Sequence, residues 1–294
     1  MAVADFSRIA SNIGALNALN SLRNVNMKLG VHQERLATGK RINSAADDPA
    51  GLTIATKLNA RSEGLKQALS NIGDAKSLLS VAESGLSRVN DILVQMRNKA
   101  EQAASDTLGQ EERDAILTQM KEYAAQIDDI VDQTEWNDNK LMDGSYNSSA
   151  LTFQTGADKG DTTTLSGLQD MKASGSVLNV GSSASISSTN SGGALSSVST
   201  ASDFANYMDD VNNALDTVSS QLAKVGSLMG RLTFKEDQIS VAQINVESSY
   251  SRIMNADMAH EQLEATKFSI LQQTSITMLA QANSAPQSIL SLFR

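Results

Sequence analysis

Cysteine is absent from this chain, and proline occurs only at positions 49 and 286. Without cysteine, disulfides and thiolate metal sites are excluded. Proline breaks helices, and a chain with only two prolines has long stretches that can be helical. The scarcity of both residues favours a fold built from long helices that pack together.

Aromatic residues are also scarce, at 4% of the sequence, although 40% of the residues are hydrophobic. A core of small aliphatic side chains suits helix packing better than an enzyme with a deep ligand pocket. The net charge of −9 comes without a lysine and arginine run, so we expect no nucleic-acid binding. No apolar window of about 18 residues predicts membrane insertion. The N-terminus, with Asp5 and no continuous apolar region, does not predict a Sec signal peptide.

Histidine occurs only at positions 32 and 260. The run beginning at His260 and Glu261 starts like a zinc-protease helix but lacks the second histidine. The many serine and threonine residues come without a Gly-x-Ser-x-Gly turn, a paired base or a phosphate loop. The sequence therefore predicts no catalytic residue, no metal site and no cofactor, and hence a protein that is not an enzyme.

The strongest positive signal is heptad periodicity. Apolar residues alternately three and four positions apart run from Leu65 to Ala103, and a similar seam from Val211 to Ile253 is interrupted only by Glu236 and Gln243. A third, shorter seam follows Gly109. The three seams predict helices packed as a left-handed bundle. A helix spanning the second seam would be about 65 Å long, which implies an elongated molecule.

The two ends of the chain predict amphipathic helices with narrow apolar stripes. Since such helices are marginal in water alone, each stripe needs a partner, either the other terminal helix or another copy of the chain. The residues expected at subunit interfaces are Ile9, Ile13, Leu16, Leu22, Leu29, Leu36, Met254, Met258, Phe268, Leu271, Met278, Leu279, Leu290 and Phe293.

The middle of the chain differs in composition. Residues 141–202 are rich in glycine, serine, threonine and asparagine, and Leu151–Gln154, followed by Gly156, predicts a strand and a turn. The predicted fold class is therefore mainly α: an elongated α-helical coiled-coil rod with a small β-hairpin region in the middle of the chain.

The segment Leu36–Gly51, with the sequence LATGKRINSAADDPAG, resembles the signature of bacterial flagellins. Gln133–Asn137, Phe153–Asp158 and the C-terminal residues 280–283 and 290–294 are similar to further motifs of that family. Within the signature, Gly39 can end a helix in a left-handed cap, and Pro49 after two aspartates predicts the start of the next helix.

The resemblance implies a division of the chain into five segments. Residues 1–42 would form the N-terminal helix of an inner, channel-lining domain, and 254–294 its C-terminal helix. Residues 43–140 and 203–253 would form the two halves of an outer helical rod domain. Residues 141–202 would carry the β-hairpin and a variable surface segment.

The resemblance also implies a function. The chain would be secreted unfolded through the flagellar type III export apparatus, with an uncleaved N-terminal segment, and polymerise with copies of itself into an extracellular filament for motility. The expected partners are a flagellin export chaperone and the junction and cap proteins of the flagellum.

Two finer expectations depend on the same resemblance. Leu93 lies in the segment that an innate Toll-like receptor recognises in flagellins, but Gln95 and Gln119 stand where recognised members carry an arginine and a glutamate. Loss of those charge-assisted bonds predicts weak receptor activation. Candidate O-glycosylation sites in the variable segment are Ser182, Ser183, Ser185, Ser187, Ser188, Thr189 and Ser191.

Other functions stay open at this stage. A hook–filament junction protein shares the terminal architecture and part of the signature, although the full match over residues 41–51 favours flagellin. An adhesive coiled-coil surface protein using residues 141–202 would need an anchor, and none is visible. An enzyme would need a site constellation that the sequence does not show.

Overall fold

A computed structural model describes residues 12–175, 177–181, 198 and 200–292, without the side chains of residues 148 and 285–292. The described part contains the helices α1 (Ile13–Thr38), α2 (Pro49–Ala103), α3 (Gln110–Gln133), α4 (Ser145–Ser148), α5 (Ala201–Met254) and α6 (Met258–Leu292). Its strands are β1 (Glu135–Trp136), β2 (Asn139–Lys140), β3 (Leu151–Gln154) and β4 (Thr162–Leu165). The prediction of a mainly α fold with a small β region is confirmed.

The chain forms two compact units. The first contains the described residues of Met1–Arg61 and Asn245–Arg294, and the second is Ser62–Ile244. The boundaries fall inside α2 and α5, whereas the sequence suggested a division near residues 42 and 254. The assignment of inner and outer domains stays a prediction.

The core of the second unit follows the heptad seam of α2. All twelve residues predicted for this seam are buried: Leu65, Ala68, Ile72, Ala75, Leu79, Ala82, Leu86, Val89, Leu93, Met96, Ala100 and Ala103. Alanines alternate with larger side chains here, which lets helices approach closely. Ile116, Met120 and Ile127 of α3 are buried as well, and so are Val211, Val218, Val225, Leu232 and Ile239 of α5. All three predicted seams therefore supply core residues.

Two polar residues of α5, Glu236 in the predicted seam and Gln221 outside it, form hydrogen bonds with other segments of the chain. Glu236 accepts a hydrogen bond from Lys76 of α2, at 2.8 Å between Nζ and Oε2. Gln221 is buried, and its amide nitrogen donates to Gln169 Oε1 at 2.8 Å. A polar residue in a coiled-coil seam restricts the register of the helices, because another register would separate it from its partner.

Two short antiparallel hairpins follow α3. Strands β1 and β2 pair through Trp136 and Asn139, and the two turn residues Asn137 and Asp138 have positive φ angles of 50° and 62°. Asparagine and aspartate tolerate this left-handed region, which a tight hairpin turn requires. Strands β3 and β4 form the second hairpin, as the sequence predicted for Leu151–Gln154.

Residues after β4 are held against α3 and α5 by hydrogen bonds. Asp128 of α3 accepts hydrogen bonds from the backbone N–H of Ala173 and from Ser174 Oγ. Tyr207 of α5 is buried, and its hydroxyl donates to Val180 O at 2.7 Å. Because burial raises the pKa of Tyr207, the hydroxyl keeps its proton and remains a donor. These contacts anchor the chain on the N-terminal side of residue 182.

The connection from α1 to α2 has the predicted helix ends. Gly39 adopts the left-handed conformation at φ 69° and its N–H donates to Arg35 O. Helix α2 begins at Pro49, and Asp48 Oδ1 accepts from the N–H of Gly51. The backbone N–H groups of Asn43 and Ser44 donate to Asp47 Oδ2, and these hydrogen bonds stabilise the turn between the helices. They also lower the pKa of Asp47.

The same connection caps the end of α5. Arg41 donates from Nε and Nη2 to the carbonyl oxygen of Ile253, and its N–H donates to Met254 O. The buried side chains of Ile42 and Ala55 pack with Met254. Arg41 thus satisfies carbonyl groups that the end of a helix leaves without partners.

Candidate functional site

Helices α1 and α6 form an antiparallel pair that brings the two ends of the described chain together. Asn12 Nδ2 donates to Ala282 O at 2.7 Å, and Gln272 Nε2 donates to Asn26 Oδ1 at 2.8 Å. Asn12 also caps α1 by accepting from the N–H of Ala15. The partner that each terminal stripe requires is therefore, in part, the other terminal helix.

Several predicted interface residues face the inside of this unit. Leu29 is buried, and Leu22, Leu36, Phe268 and Leu279 are half-buried. Met254 is also buried, in the cluster with Ile42 and Ala55. These side chains pack within the single chain, and their role at a subunit interface stays a prediction.

The other described members of the predicted set are exposed. Ile13 and Leu16 of α1, and Met258, Leu271 and Met278 of α6, present their side chains to solvent. Sequence reasoning missed further exposed apolar residues of these two helices: Met27, Val31, Leu263, Ile270 and Ile276. We call all ten side chains together the outward face.

The outward face has a definite position on each helix. At about 100° per residue, Ile13, Leu16, Met27 and Val31 lie within roughly 60° of one another, opposite Leu29. Leu263 and Ile270 lie on the side of α6 opposite Glu261. The other four residues of α6 lie to either side of these two: Met258, Leu271, Ile276 and Met278. The narrow-stripe prediction is therefore incomplete, because each helix has apolar side chains on more than one side. A helix that is apolar around its circumference is normally buried.

Three predicted interface residues cannot be placed. Ile9 and Phe293 lie outside the described residues. Leu290 belongs to α6, but its side chain is not among those described.

The inside of the pair also contains a buried carboxylate. Glu261 is 5% exposed; its Oε2 lies 2.5 Å from His32 Nδ1, and its Oε1 lies 3.4 Å from Arg35 Nη1. Burial acts to raise the pKa of Glu261, but the hydrogen bond from His32 and the charge of Arg35 outweigh it and lower the pKa. The carboxylate therefore remains ionised at neutral pH.

An aromatic ring lies beside this cluster. His32 stacks on Phe268 with ring centroids 5.3 Å apart, and the ammonium groups of Lys28 and Lys267 lie 5.7 Å and 5.5 Å from the Phe268 centroid. This cluster is hard to predict from the sequence, since His32 and Glu261 are 229 positions apart. The spacing of Lys28, His32 and Arg35 on one side of α1 was the available hint.

His260, the second histidine, is exposed, and its N–H donates to Asp257 Oδ1 at the start of α6. Within the described residues there is no group of three or more side chains suited to hold a metal ion. In the same part of the chain, no helix combines the length and the apolar character needed to cross a membrane.

The three residues considered for receptor recognition differ in their exposure to solvent. Leu93 belongs to the core of the second unit, whereas Gln95 and Gln119 are exposed. Gln119 Nε2 donates to Tyr123 Oη at 3.0 Å. A partner binding at this surface could therefore contact the two glutamines, but not the side chain of Leu93.

The seven candidate O-glycosylation sites lie outside the described residues. They are Ser182, Ser183, Ser185, Ser187, Ser188, Thr189 and Ser191.

Paired helices with exposed apolar side chains are typical of helical structural proteins that assemble from many copies. Residues 9–148 match the bacterial flagellin N-terminal helical region, and residues 208–293 match the bacterial flagellin C-terminal helical region. The chain belongs to the bacterial flagellin family. It is a structural subunit that polymerises into the extracellular filament of the bacterial flagellum.

The sequence of this chain aligns with those of individual relatives over nearly its whole length. The chain is 36% identical to a flagellin of Bacillus subtilis, covering 98% of this chain and 100% of that protein. It is 30% identical to a flagellar filament 33 kDa core protein of Treponema phagedenis, covering 97% and 99%. A solved hook-associated protein from Vibrio parahaemolyticus has a TM-score of 0.57 at 17% identity, covering 71% of this chain and 100% of that one. The last similarity concerns the fold alone.

Proposed function

We propose that the outward face of α1 and α6 is the joint between neighbouring copies in the filament. The observation that carries the proposal is the exposure of ten large apolar side chains on two paired helices. Soluble proteins rarely leave so many large apolar side chains of two paired helices exposed without a partner. Complete burial of a large aliphatic side chain stabilises a contact by about 1.5–3 kcal/mol. A neighbouring copy that covers this face is therefore bound with a substantial favourable free energy.

The geometry also favours an open polymer. The stripe on α1 and the residues Leu263 and Ile270 on α6 are different surfaces that point to different sides of the helix pair. A contact between unlike surfaces is heterologous and propagates without closing. Residues 1–42 and 254–294 would then form the inner domain of the filament, and residues 43–140 and 203–253 its outer domain. Residues 141–202 would carry the exposed surface segment.

The test compares four chains by electron microscopy under a precipitating salt such as ammonium sulfate. We expect long, uniform tubes from the intact chain and none from a chain lacking residues 254–294. The sharper variant is Leu263→Gln with Ile270→Gln, which alters only exposed residues. Its control is Val94→Gln, at an exposed position of α2. Tubes of normal length from the double variant would contradict the proposed joint.

The alternative function is a hook–filament junction protein. Such a protein would yield monomers or short stubs from the intact chain under the same conditions. The identity to flagellins over 97–98% of this chain supports the filament subunit instead.

Export follows from the same proposal. The chain leaves the cell unfolded through the flagellar type III apparatus, with α6 held by an export chaperone that covers its apolar sides beforehand, and it meets junction and cap proteins at the filament ends. The absence of cysteine fits passage in an unfolded state, since no disulfide has to form afterwards. N-terminal sequencing of filament protein checks the uncleaved segment, and a cleaved N-terminus would contradict it.

The chain has no catalytic role in this proposal, and its interaction with the host is weak. Gln95 and Gln119 are exposed and uncharged, so we expect weak activation of the receptor in a Toll-like receptor reporter-cell assay. Potent activation at picomolar protein would refute this expectation. Intact mass spectrometry of filament protein from the native host tests O-glycosylation between residues 174 and 202, and a bare sequence mass would exclude it.

A further inference from the structure

The exposed methionines of the described chain lie on one surface. Met27 of α1, and Met258 and Met278 of α6, are 63%, 47% and 59% exposed. All three belong to the outward face, and among the described residues no other methionine is exposed. Leucine or isoleucine would supply the same apolar surface, so the thioether sulfur is the property that distinguishes these positions.

The other described methionines are less accessible. Five of them are at most 6% exposed: Met96, Met120, Met142, Met171 and Met254. Met208 and Met229 of α5 are half-buried, and Met1 lies outside the described residues. Because the oxidation of a sulfur atom depends on its access to solvent, an oxidant reaches the described sulfur atoms of the outward face before the others.

The three exposed methionines are spread over the whole outward face. Met27 lies between Leu16 and Val31 in angle, within the apolar stripe of α1. Met258 and Met278 are about 30 Å apart along α6 and about 160° apart around it. A neighbouring copy that covers α1, or either side of α6, therefore has to bury a methionine.

Oxidation turns each of these apolar side chains into a polar one. The sulfur attacks one oxygen of hydrogen peroxide, and an S–O bond forms as the O–O bond breaks. The departing oxygen takes the proton of the transferred hydroxyl group and leaves as water, so the sulfur is oxidised and the peroxide is reduced. The sulfoxide oxygen is a hydrogen-bond acceptor, and burying it against apolar side chains without a donor is unfavourable.

We propose that Met27, Met258 and Met278 are peroxide-sensitive modification sites that control whether a free subunit can join the filament. In the folded free subunit their sulfur atoms are accessible, and conversion to sulfoxides stops a neighbour from burying the outward face. In the filament the same atoms lie inside the joint and are protected. This inference rests on the proposed filament function.

The test compares each chain with itself before and after oxidation. Folded subunits are treated with hydrogen peroxide, the peroxide is removed with catalase, and peptide mass spectrometry identifies the oxidised residues. Elongation from untreated filament seeds then gives the critical concentration. We expect sulfoxides at the three exposed methionines and a critical concentration raised at least about tenfold. Methionine sulfoxide reductases of both stereospecificities should return it to within about threefold of the untreated value.

A variant without the three sulfur atoms separates these sites from the remaining methionines. Met27→Leu with Met258→Leu and Met278→Leu keeps an apolar side chain of similar volume at each position. Its critical concentration should change less than about twofold on the same treatment. The matched control carries Met208→Leu and Met229→Leu, outside the outward face, and it should respond to peroxide as the original chain does.

Protection inside the filament gives an independent readout. The three exposed methionines should be oxidised at least about tenfold more slowly in assembled filaments than in free subunits. Normal elongation of oxidised subunits, equal inhibition of the triple variant, or equal oxidation rates in both states would overturn the proposal. A loss of helical circular dichroism on oxidation would also overturn it, because unfolding would then explain the defect. Failure of the untreated original chain to form filaments would instead overturn the proposed function.

Discussion

Replacing Glu261 by glutamine removes the one charge that His32 and Arg35 share inside the terminal helix pair. The glutamine keeps the size of the side chain and can accept one hydrogen bond from His32. Hydrogen bonds to charged groups contribute about 1.5–3 kcal/mol each. Since His32 and Arg35 are 17% and 25% exposed and can recover water, we expect a loss of about 1.5 kcal/mol. That is roughly a tenfold change in the opening equilibrium.

The loss should be local to the pair. Hydrogen–deuterium exchange in assembled filaments should speed up about tenfold for backbone amides near residues 24–36 of α1 and 258–271 of α6. The matched control is Glu264→Gln, because Glu264 lies one turn from Glu261 and pairs on the same helix with Lys267, whose side chain is 55% exposed. Such a surface pair contributes well under 1 kcal/mol.

The same replacement should remove an acid dependence. The pKa of Glu261 is lowered in the folded chain, so its contribution is fully present above the pKa of an unfolded glutamate, about 4.3. The contribution is lost as the pH falls through the lower, folded value. Protection of α1 and α6 should therefore decline in acid more steeply in the original chain than in Glu261→Gln. Equal exchange in both chains at neutral pH, or identical acid profiles, would refute the role of the buried carboxylate.

Three further outcomes can be checked by denaturant unfolding. Leu86→Ala in the buried seam of α2 should cost about 2–5 kcal/mol, whereas Val94→Ala on the exposed side should stay within about 0.5 kcal/mol; equal losses would contradict the seam. Gly230→Ala should stabilise the monomer by about 0.5–1 kcal/mol, because an added Cβ at this position of α5 meets nothing within 4 Å. Gly39→Ala should instead destabilise it by about 1–2 kcal/mol, since φ is +69° there. A loss at Gly230, or a gain at Gly39, would be evidence against these two assignments.

The residues that could be predicted from the sequence are those with local periodicity. Every predicted member of the α2 seam, from Leu65 to Ala103, is buried, because a heptad repeat determines one side of a helix without reference to distant residues. The ends of α1 and α2 at Gly39 and Pro49 were likewise predictable, since capping depends on neighbours in sequence.

The residues that could not be predicted depend on contacts between distant segments. The pairing of Glu261 with His32 requires knowing that α1 and α6 lie together. Periodicity alone also could not divide the terminal apolar residues into inward ones such as Leu29 and outward ones such as Leu16. Gln221 shows the same limit, because a glutamine is buried in α5 only where Gln169 offers a partner.

The antiparallel pairing of α1 and α6 also bears on the order in which a subunit can fold and assemble. Its contacts join residues as far apart as Asn12 and Ala282, which are 270 positions apart, so they have the highest contact order in the described chain and close only after almost everything between them is present. A polypeptide that stops before α6 retains the seam of α2 but leaves Leu29 and its neighbours uncovered, and it lacks six of the ten side chains of the outward face. With the outward face as the proposed joint, we therefore expect chains that stop before α6 to be kept out of the growing polymer.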